Sequence, residues 1–422
     1  FLSICAFWQM YDNIVPLILQ GTFHLNETIT GAIMAADNVL AVFLLPLLGS
    51  LSDKVDTRWG KRTPFIVVGT VLAVVLMMLL PHADKTENFV LFVISLFFLL
   101  IAMGLYRSPA VALMPDLTPK PLRSQANAII NLMGAVGGVF ALLLIKVAVV
   151  RTELPDGAVA SDYTYLFVGV AALMVVCAFV LWRTVNERAC VAEMEAMNYG
   201  VDPSEETVTT TDADGKKKLH PAALRSLIFI LCSVAFWFMG YNAVTSAFSK
   251  YATTVWGVSE GTAANCLLVA TVGAIVSYWP VGQLSSKIGR KKMILCGVSL
   301  MALSYLTGFF LTSYSPVIYA VMALLGIGWA AINVNSYPMV VEMSHGADVG
   351  RYTGIYYTFS MTAQIVTPIL SGFLIQHFGY RILFPYAVFF SVLAFLTMTQ
   401  VRHGDARPEK KASALEYLDS DD

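Results

Sequence analysis

Residues 30–66 read TGAIMAADNVLAVFLLPLLGSLSDKVDTRWGKRTPFI. An apolar run with a single acid, Asp37, ends at residue 51. A short turn crowded with Asp53, Lys54, Asp56, Arg58, Lys61 and Arg62 follows, and Pro64-Phe65-Ile66 opens the next apolar run. About 20 mostly apolar residues are needed to cross ~30 Å of hydrocarbon as a helix. The stretch therefore reads as two membrane spans joined by a tight charged loop. Working outward at the same window gives spans near 1–19, 30–51, 64–82, 89–114, 124–149 and 163–183. Six more fall near 225–249, 259–281, 293–312, 316–341, 352–376 and 380–401.

The composition agrees. Of 422 residues, 57% are hydrophobic and 13% charged, with a mean hydropathy of +0.69, where a soluble domain carries roughly 25% charge. That much apolar surface overfills an aqueous core, so the excess faces lipid. A cytosolic enzyme, a disordered regulator and a disulfide-stapled secreted domain are excluded. A net charge of −1 offers no polyanion-binding surface, so nucleic acid is not an expected partner. The six cysteines have no metal or redox spacing.

The expected domains are a six-helix bundle over 1–183, a polar loop over 184–223, a second bundle over 224–402 and a tail over 403–422. Residues 187–199 read as a short surface helix in the loop. The chain opens on Phe1 within an apolar run, so a missing extreme N-terminus is expected. Of 27 basic residues, 21 fall on the side of the central loop, five on the other, and Arg107 within a span. By the positive-inside rule, the loop and both termini are cytoplasmic in a multi-pass plasma-membrane protein.

The halves resemble each other. Gly49-Ser-Leu-Ser-Asp53-Lys54 after the second span matches Gly282-Gln-Leu-Ser-Ser286-Lys287 after the eighth. Arg107 stands nine residues before Asp116, as Asn333 stands nine before Glu342, and the next spans open at Arg123 and Arg351. Two matches at equivalent places indicate duplicated six-helix units. The expected class is an all-α membrane protein of twelve helices in two pseudo-symmetric six-helix bundles.

The Gly49…Asp53-Lys54…Gly60-Lys61-Arg62 loop resembles the signature between helices two and three of the major facilitator superfamily. Its longer form, SDKVDTRWGKRTPFI at 52–66, is similar to the glycoside–pentoside–hexuronide cation symporters, nearest their sucrose/proton group. Arg107-Ser-Pro109-Ala-Val-Ala-Leu-Met-Pro-Asp116-Leu looks like that group's fourth helix. The resemblance implies a secondary transporter that moves a small polar solute, a glycoside or disaccharide, with protons by alternating access. An exporter of amphiphilic compounds and a sodium-coupled sugar symporter are the alternatives. The sodium-site aspartates of melibiose-type members are absent, since Leu45 precedes Pro46. Leu100 stands where plant sucrose carriers bear an acid.

An ionisable group inside hydrocarbon costs roughly 2.5–3.5 kcal/mol on insertion scales, so one that is present faces a cavity and a partner. Asp12, Asp37 and Arg107 are such groups. At ~1.5 Å per residue, Asp12 and Arg107 lie about 12 and 13 Å deep, near the midplane, and Asp37 lies in the outer third. Asp12 or Asp37 is expected to carry the proton, with Arg107 as counter-charge. A permanent ion pair that only joins helices is the plainer reading.

Asn13, Tyr241, Asn242, Asn333, Asn335, Gln364 and Trp329 are the expected solute contacts. Carboxamides and hydroxyls both donate and accept, and an indole stacks on a sugar face. Asp53, Arg62, Asp116 and Arg123 look like the superfamily's inner gate. No enzyme motif is present, the six histidines are scattered, and neither catalytic residues, a metal nor a cofactor is expected. The expected partners are the solute, a co-transported cation and the lipid bilayer, around a monomer.

Overall fold

In a computed structural model, the described residues are 1–153, 159–196, 209–211, 217–344 and 348–405. Among them are twelve helices long and apolar enough to span a membrane. The first bundle holds α1 (Leu2–Gly21), α2 (Glu27–Lys54), α3 (Thr63–Lys85), α4 (Phe89–Leu117), α5 (Arg123–Ala148) and α6 (Thr164–Thr184). A short α7 (Glu187–Ala196) follows. The second bundle holds α8 (Pro221–Val255), α9 (Glu260–Ile288), α10 (Arg290–Phe310), α11 (Val317–Glu342), α12 (Val349–Phe378) and α13 (Leu383–Thr399). Each expected span is present, with ends displaced by a few residues. The surface helix forms over its first ten residues, and 197–199 lie outside the described residues.

Two small antiparallel ribbons were not expected in an all-helical chain. Val150–Glu153 pairs with Val159–Asp162 between α5 and α6, and Thr209–Thr211 pairs with Lys217–Leu219 in the central loop. Both ribbons are rich in β-branched residues, which suit an extended backbone between helices.

Helix starts are set locally. Asn26, Asn88 and Ser259 accept hydrogen bonds from the backbone of Ile29, Leu91 and Thr262, closing the starts of α2, α4 and α9. Gly60 (φ 103°) and Gly289 (φ 95°) turn the chain just before α3 and α10, in a backbone region a side chain would strain. That these two stand at the same place in the two halves is the repeat written in backbone geometry.

Burial separates the bundles. One core gathers Ile4, Phe7, Tyr11, Met77, Phe92 and Phe167 in the first bundle. A second gathers Ile230, Trp237, Phe248, Ile294, Met301 and Phe384 in the other, joined by Val111, Ala112 and Met114 of α4. A small third cluster, Ala128, Val281, Met293, Ala331 and Val334, seals α5 against α9 and α11. Large exposed side chains such as Phe43, Val75, Phe98, Val276 and Phe310 face outward, as a lipid solvent permits.

Candidate substrate and coupling site

Arg62, just past the Gly60 turn, organises the end of the molecule nearest the central loop. Its Nη2 donates to Asp53 Oδ1 at 2.6 Å, its Nε to Asp116 Oδ2 at 2.7 Å, and its Nη1 to Ser52 Oγ. Burial opposes the charge, but Asp116 and Asp53 more than offset it and hold the guanidinium above its ordinary range. Asp53 also reaches into the second bundle. It accepts from the backbone N–H of Gly350 and of Arg351, each at 2.9 Å, which closes the start of α12. A Cβ on Gly49 or Gly350 would meet the other's backbone carbonyl, so this crossing requires two glycines.

The second bundle carries a counterpart. Arg290, just past Gly289, pairs with Glu342, and its Nε donates to Ser124 Oγ of α5 at 2.8 Å. Ser286, at the place of Asp53, accepts from Gln125 Nε2 at 3.1 Å. The Arg290–Glu342 pair was not among the expected gate residues. The Gly289 match and the position of Glu342 were the available signals.

Of the four expected gate residues, three join into one network. The fourth, Arg123, donates to the carbonyls of Thr118 (3.2 Å) and Pro115 (2.9 Å) at the end of α4 and interacts electrostatically with Asp116 and Glu342.

Two further carboxylates were missed altogether. Glu187, the first residue of α7, is buried and accepts from the backbone N–H of Lys61, Arg62 and Thr63 and from the Thr63 hydroxyl, at 2.7–3.1 Å. Asp405, beyond α13, accepts from the N–H of Arg290 at 2.5 Å and Lys291 at 3.4 Å. In sequence each reads as an ordinary polar residue after a span.

Every hydrogen bond between the bundles among the described residues falls in the half nearest the central loop. The highest joins Thr358 Oγ1 to Val42 O, roughly 18 Å above the end of α2 by helical rise. At the same level Arg107 lies between two rings, 5.0 Å from Tyr357 of α12 and 5.6 Å from Trp8 of α1. Above this level no hydrogen bond joins the bundles among the described residues.

The first bundle supplies a charged wall. Along α1 the buried residues Ile4, Phe7, Tyr11, Ile14 and Ile18 follow helical spacing, and Asp12 and Asn13 lie exposed on the other side. Exposed carboxylate and amide groups at mid-span can only face a water-filled opening. Asn13 Nδ2 donates to Gln9 O at 2.7 Å. Asp37 is half-buried on α2 and interacts electrostatically with Asp12 and with Arg107. Asp37 and Arg107 share a small cavity with Trp8, Leu40, Ala41, Leu44, Leu45, Leu100 and Gly104. Its roughly 20 Å³ of space for water-sized occupants is room for about one water. Tyr11, which reads as core, has its hydroxyl in the field of Asp37 and Asp12. Neither that hydroxyl nor Trp8 Nε1 has a hydrogen-bond partner among the described residues.

The second bundle supplies a neutral wall. Tyr241 and Trp329 stack in parallel with centroids 3.7 Å apart, and Phe238 stands edge-on to Trp329 at 5.1 Å. Asn333 is one turn past Trp329 and donates to its carbonyl at 3.4 Å. Asn242 follows Tyr241, and its buried Nδ2 has no partner among the described residues. Gln364 lies seven residues past Tyr357 on the same face of α12, its Nε2 3.6 Å from the Met361 sulfur. Asn335 differs. It is fully buried in α11, donates to Ala331 O at 2.8 Å, and faces the bundle interior.

Residues 5–410 match the family model described as MFS/sugar transport protein. The sucrose transport protein SUC4 of Arabidopsis thaliana is 33% identical over 113 residues, 23% of this chain and 22% of that protein. The chloramphenicol resistance protein CraA of Acinetobacter baumannii is 28% identical over 169 residues, 39% of this chain and 41% of that protein. The matched stretches thus span well under half the length of these relatives. The E. coli transporter FucP, solved in its outward conformation, superposes with a TM-score of 0.67 at 15% identity, covering 95% of this chain and 97% of that one. With the duplicated bundles and their paired arginine centres, the match over nearly the whole length identifies this chain as a member of the MFS/sugar transport protein family of the major facilitator superfamily.

Proposed function

We propose that the protein imports a neutral polyhydroxylated solute, a glycoside or disaccharide, in symport with protons by alternating access. One observation carries the reading: among the described residues the ionisable mid-span groups all belong to the first bundle, and the stacked Tyr241–Trp329 pair with Asn242, Asn333 and Gln364 belongs to the second. The first bundle then handles the proton and the second holds the solute. Asp12 and Asp37 exchange the proton, with Arg107 as counter-charge. Tyr241 and Trp329 stack on the sugar ring, while Asn13, Asn242, Asn333 and Gln364 bond its hydroxyls. Asn335 acts from behind by fixing α11. Asp53, Arg62, Asp116 and Arg123 form the inner gate, on the cytoplasmic side with the central loop, both termini and the tail, in a monomer that sits in the plasma membrane.

The cavity beside Asp37 favours a proton over sodium. A hard cation takes about six oxygen ligands. Asp37 is the sole side-chain oxygen donor there, and Arg107 and the Trp8 indole are donors only. The resemblance to CraA keeps export of amphiphilic compounds as the second reading.

Labelled sucrose and maltose uptake into proteoliposomes decides between them, under an inward proton gradient, an inward sodium gradient or none. Accumulation with the proton gradient alone, abolished in Asp37→Asn or Asp12→Asn, is the expected result. Uphill uptake that survives in both variants removes the coupling assignment. No uptake under any gradient removes the sugar.

A further inference from the structure

Eight prolines stand inside spanning helices among the described residues, and three of them, Pro46 in α2, Pro115 in α4 and Pro338 in α11, free carbonyls that the other bundle reaches. Proline has no N–H, so the carbonyl four residues earlier loses its helical donor. Those carbonyls belong to Val42, Val111 and Val334. Within a membrane such a group must find another partner. Here each finds it on the opposite bundle. Thr358 Oγ1 of α12 donates to Val42 O at 3.1 Å, sharing its hydrogen with Gly354 O. The Tyr337 hydroxyl of α11 donates to Val111 O at 3.2 Å and meets Thr353 Oγ1 at 2.9 Å. Asn127 Nδ2 of α5 donates to Val334 O at 3.0 Å and Asn333 O at 2.8 Å. The carbonyls before the other five prolines, those of Asp12, Met77, Leu105, Val276 and Gln364, have no side-chain donor from the opposite bundle among the described residues.

We propose that Asn127, Tyr337 and Thr358 are positioning residues of the transport cycle, each supplying from the opposite bundle the donor that a proline withholds. The seal at the central-loop end is then built of bonds that exist only while the bundles are closed there. A carbonyl bonded within its own helix would gain nothing from closure. A carbonyl freed by proline is satisfied by the opposite bundle when closed and by water when the cleft floods, so the seal is specific and still reversible.

The test is a distance measurement on the full chain. Spin labels are placed at Lys54→Cys and Lys287→Cys, both exposed, one on each bundle at the central-loop end, with the six native cysteines replaced. Electron–electron dipolar spectroscopy in proteoliposomes reads the closed and open populations without any solute, so the result stands apart from the sugar and proton assignments. Thr358→Val, Tyr337→Phe and Asn127→Leu are each expected to raise the open population roughly three- to tenfold, the equilibrium worth of one hydrogen bond. Thr358→Ser, which keeps the hydroxyl, stays at the starting distribution. Pro46→Ala returns an N–H to Val42 O, so Thr358→Val becomes silent in that background. Unchanged distances in all three apolar variants, or an undiminished effect of Thr358→Val in the Pro46→Ala background, would overturn the proposal.

Discussion

Glu187 and Asp405 do the same work in the two halves of the protein. Each lies a few residues beyond the last span of its bundle, and each closes the start of the helix that carries a buried arginine, Arg62 or Arg290. The caps are unequal. At the helix starts, Glu187 gathers three backbone N–H groups and a hydroxyl, whereas Asp405 accepts from two backbone N–H groups, one at 2.5 Å and one at 3.4 Å.

Glu187→Gln is therefore expected to cost about 1–3 kcal/mol, the range for a charge-assisted bond to buried donors, and Asp405→Asn less. Thermal unfolding in detergent ranks the two. Amide exchange should rise at residues 61–64 in the first variant and at 290–292 in the second. Equal losses would show that bond number is not what sets the strength of the cap.

Arg290→Gln leaves Glu342 buried beside a neutral amide. Breaking a buried ion pair from one side costs about 3–5 kcal/mol, so poor expression or early melting is expected. Arg290→Gln combined with Glu342→Gln recovers part of the loss. Arg62→Lys should fail too, because one ammonium cannot repeat the fork that reaches Asp53, Ser52 and Asp116 together.

Tyr357→Phe keeps the ring under Arg107 and should leave transport close to the parent. Tyr357→Leu removes it and weakens the floor by about 0.5–2 kcal/mol. Solute uptake against concentration separates the variants. Identical curves for Phe and Leu would mean that the ring does not hold the arginine.

His403 gives the structure a pH-dependent fastening. Burial, His220 and Arg402 hold its imidazole below the ordinary histidine value, and in the neutral form Nδ1 sits 2.9 Å from Ser226 Oγ. A depressed histidine pKa favours the folded segment at high pH. The advantage is complete above the unfolded value of 6.5 and is lost as pH falls toward the folded one. Exchange at residues 401–405 is thus expected to quicken between about pH 7 and 5, and His403→Phe should flatten the profile.

The span pattern was readable because lipid imposes one rule on every residue of a crossing helix, and no tertiary detail overrides it. The doubled loop motif gave the two bundles, and mid-span rarity alone singled out Asp12, Asp37 and Arg107. What escaped were partners fixed by folding rather than by spacing. Arg107 was expected beside an acid and shares a cavity with Asp37, but the rings of Trp8 and Tyr357 that also hold it come from α1 and α12, far apart in sequence. Asn335 and Asn333 look alike on paper, yet a two-residue step turns one into the bundle and leaves the other near the opening. Glu187 opened a stretch read only as a surface helix, and Asp405 lay in a tail that looked like plain connection. Donors that answer prolines in another bundle leave no local trace at all.

The closing carboxylates also bear on how the protein is made. Helix α3 waits 125 residues for its cap and α10 waits 115, and in each case the cap comes from the last part of the same bundle. During synthesis the first six spans can therefore complete themselves once residue 187 has emerged, borrowing nothing from the second half for that helix start. The second bundle inserts beside a finished neighbour and fastens its own α10 only after the twelfth span of the chain has been made.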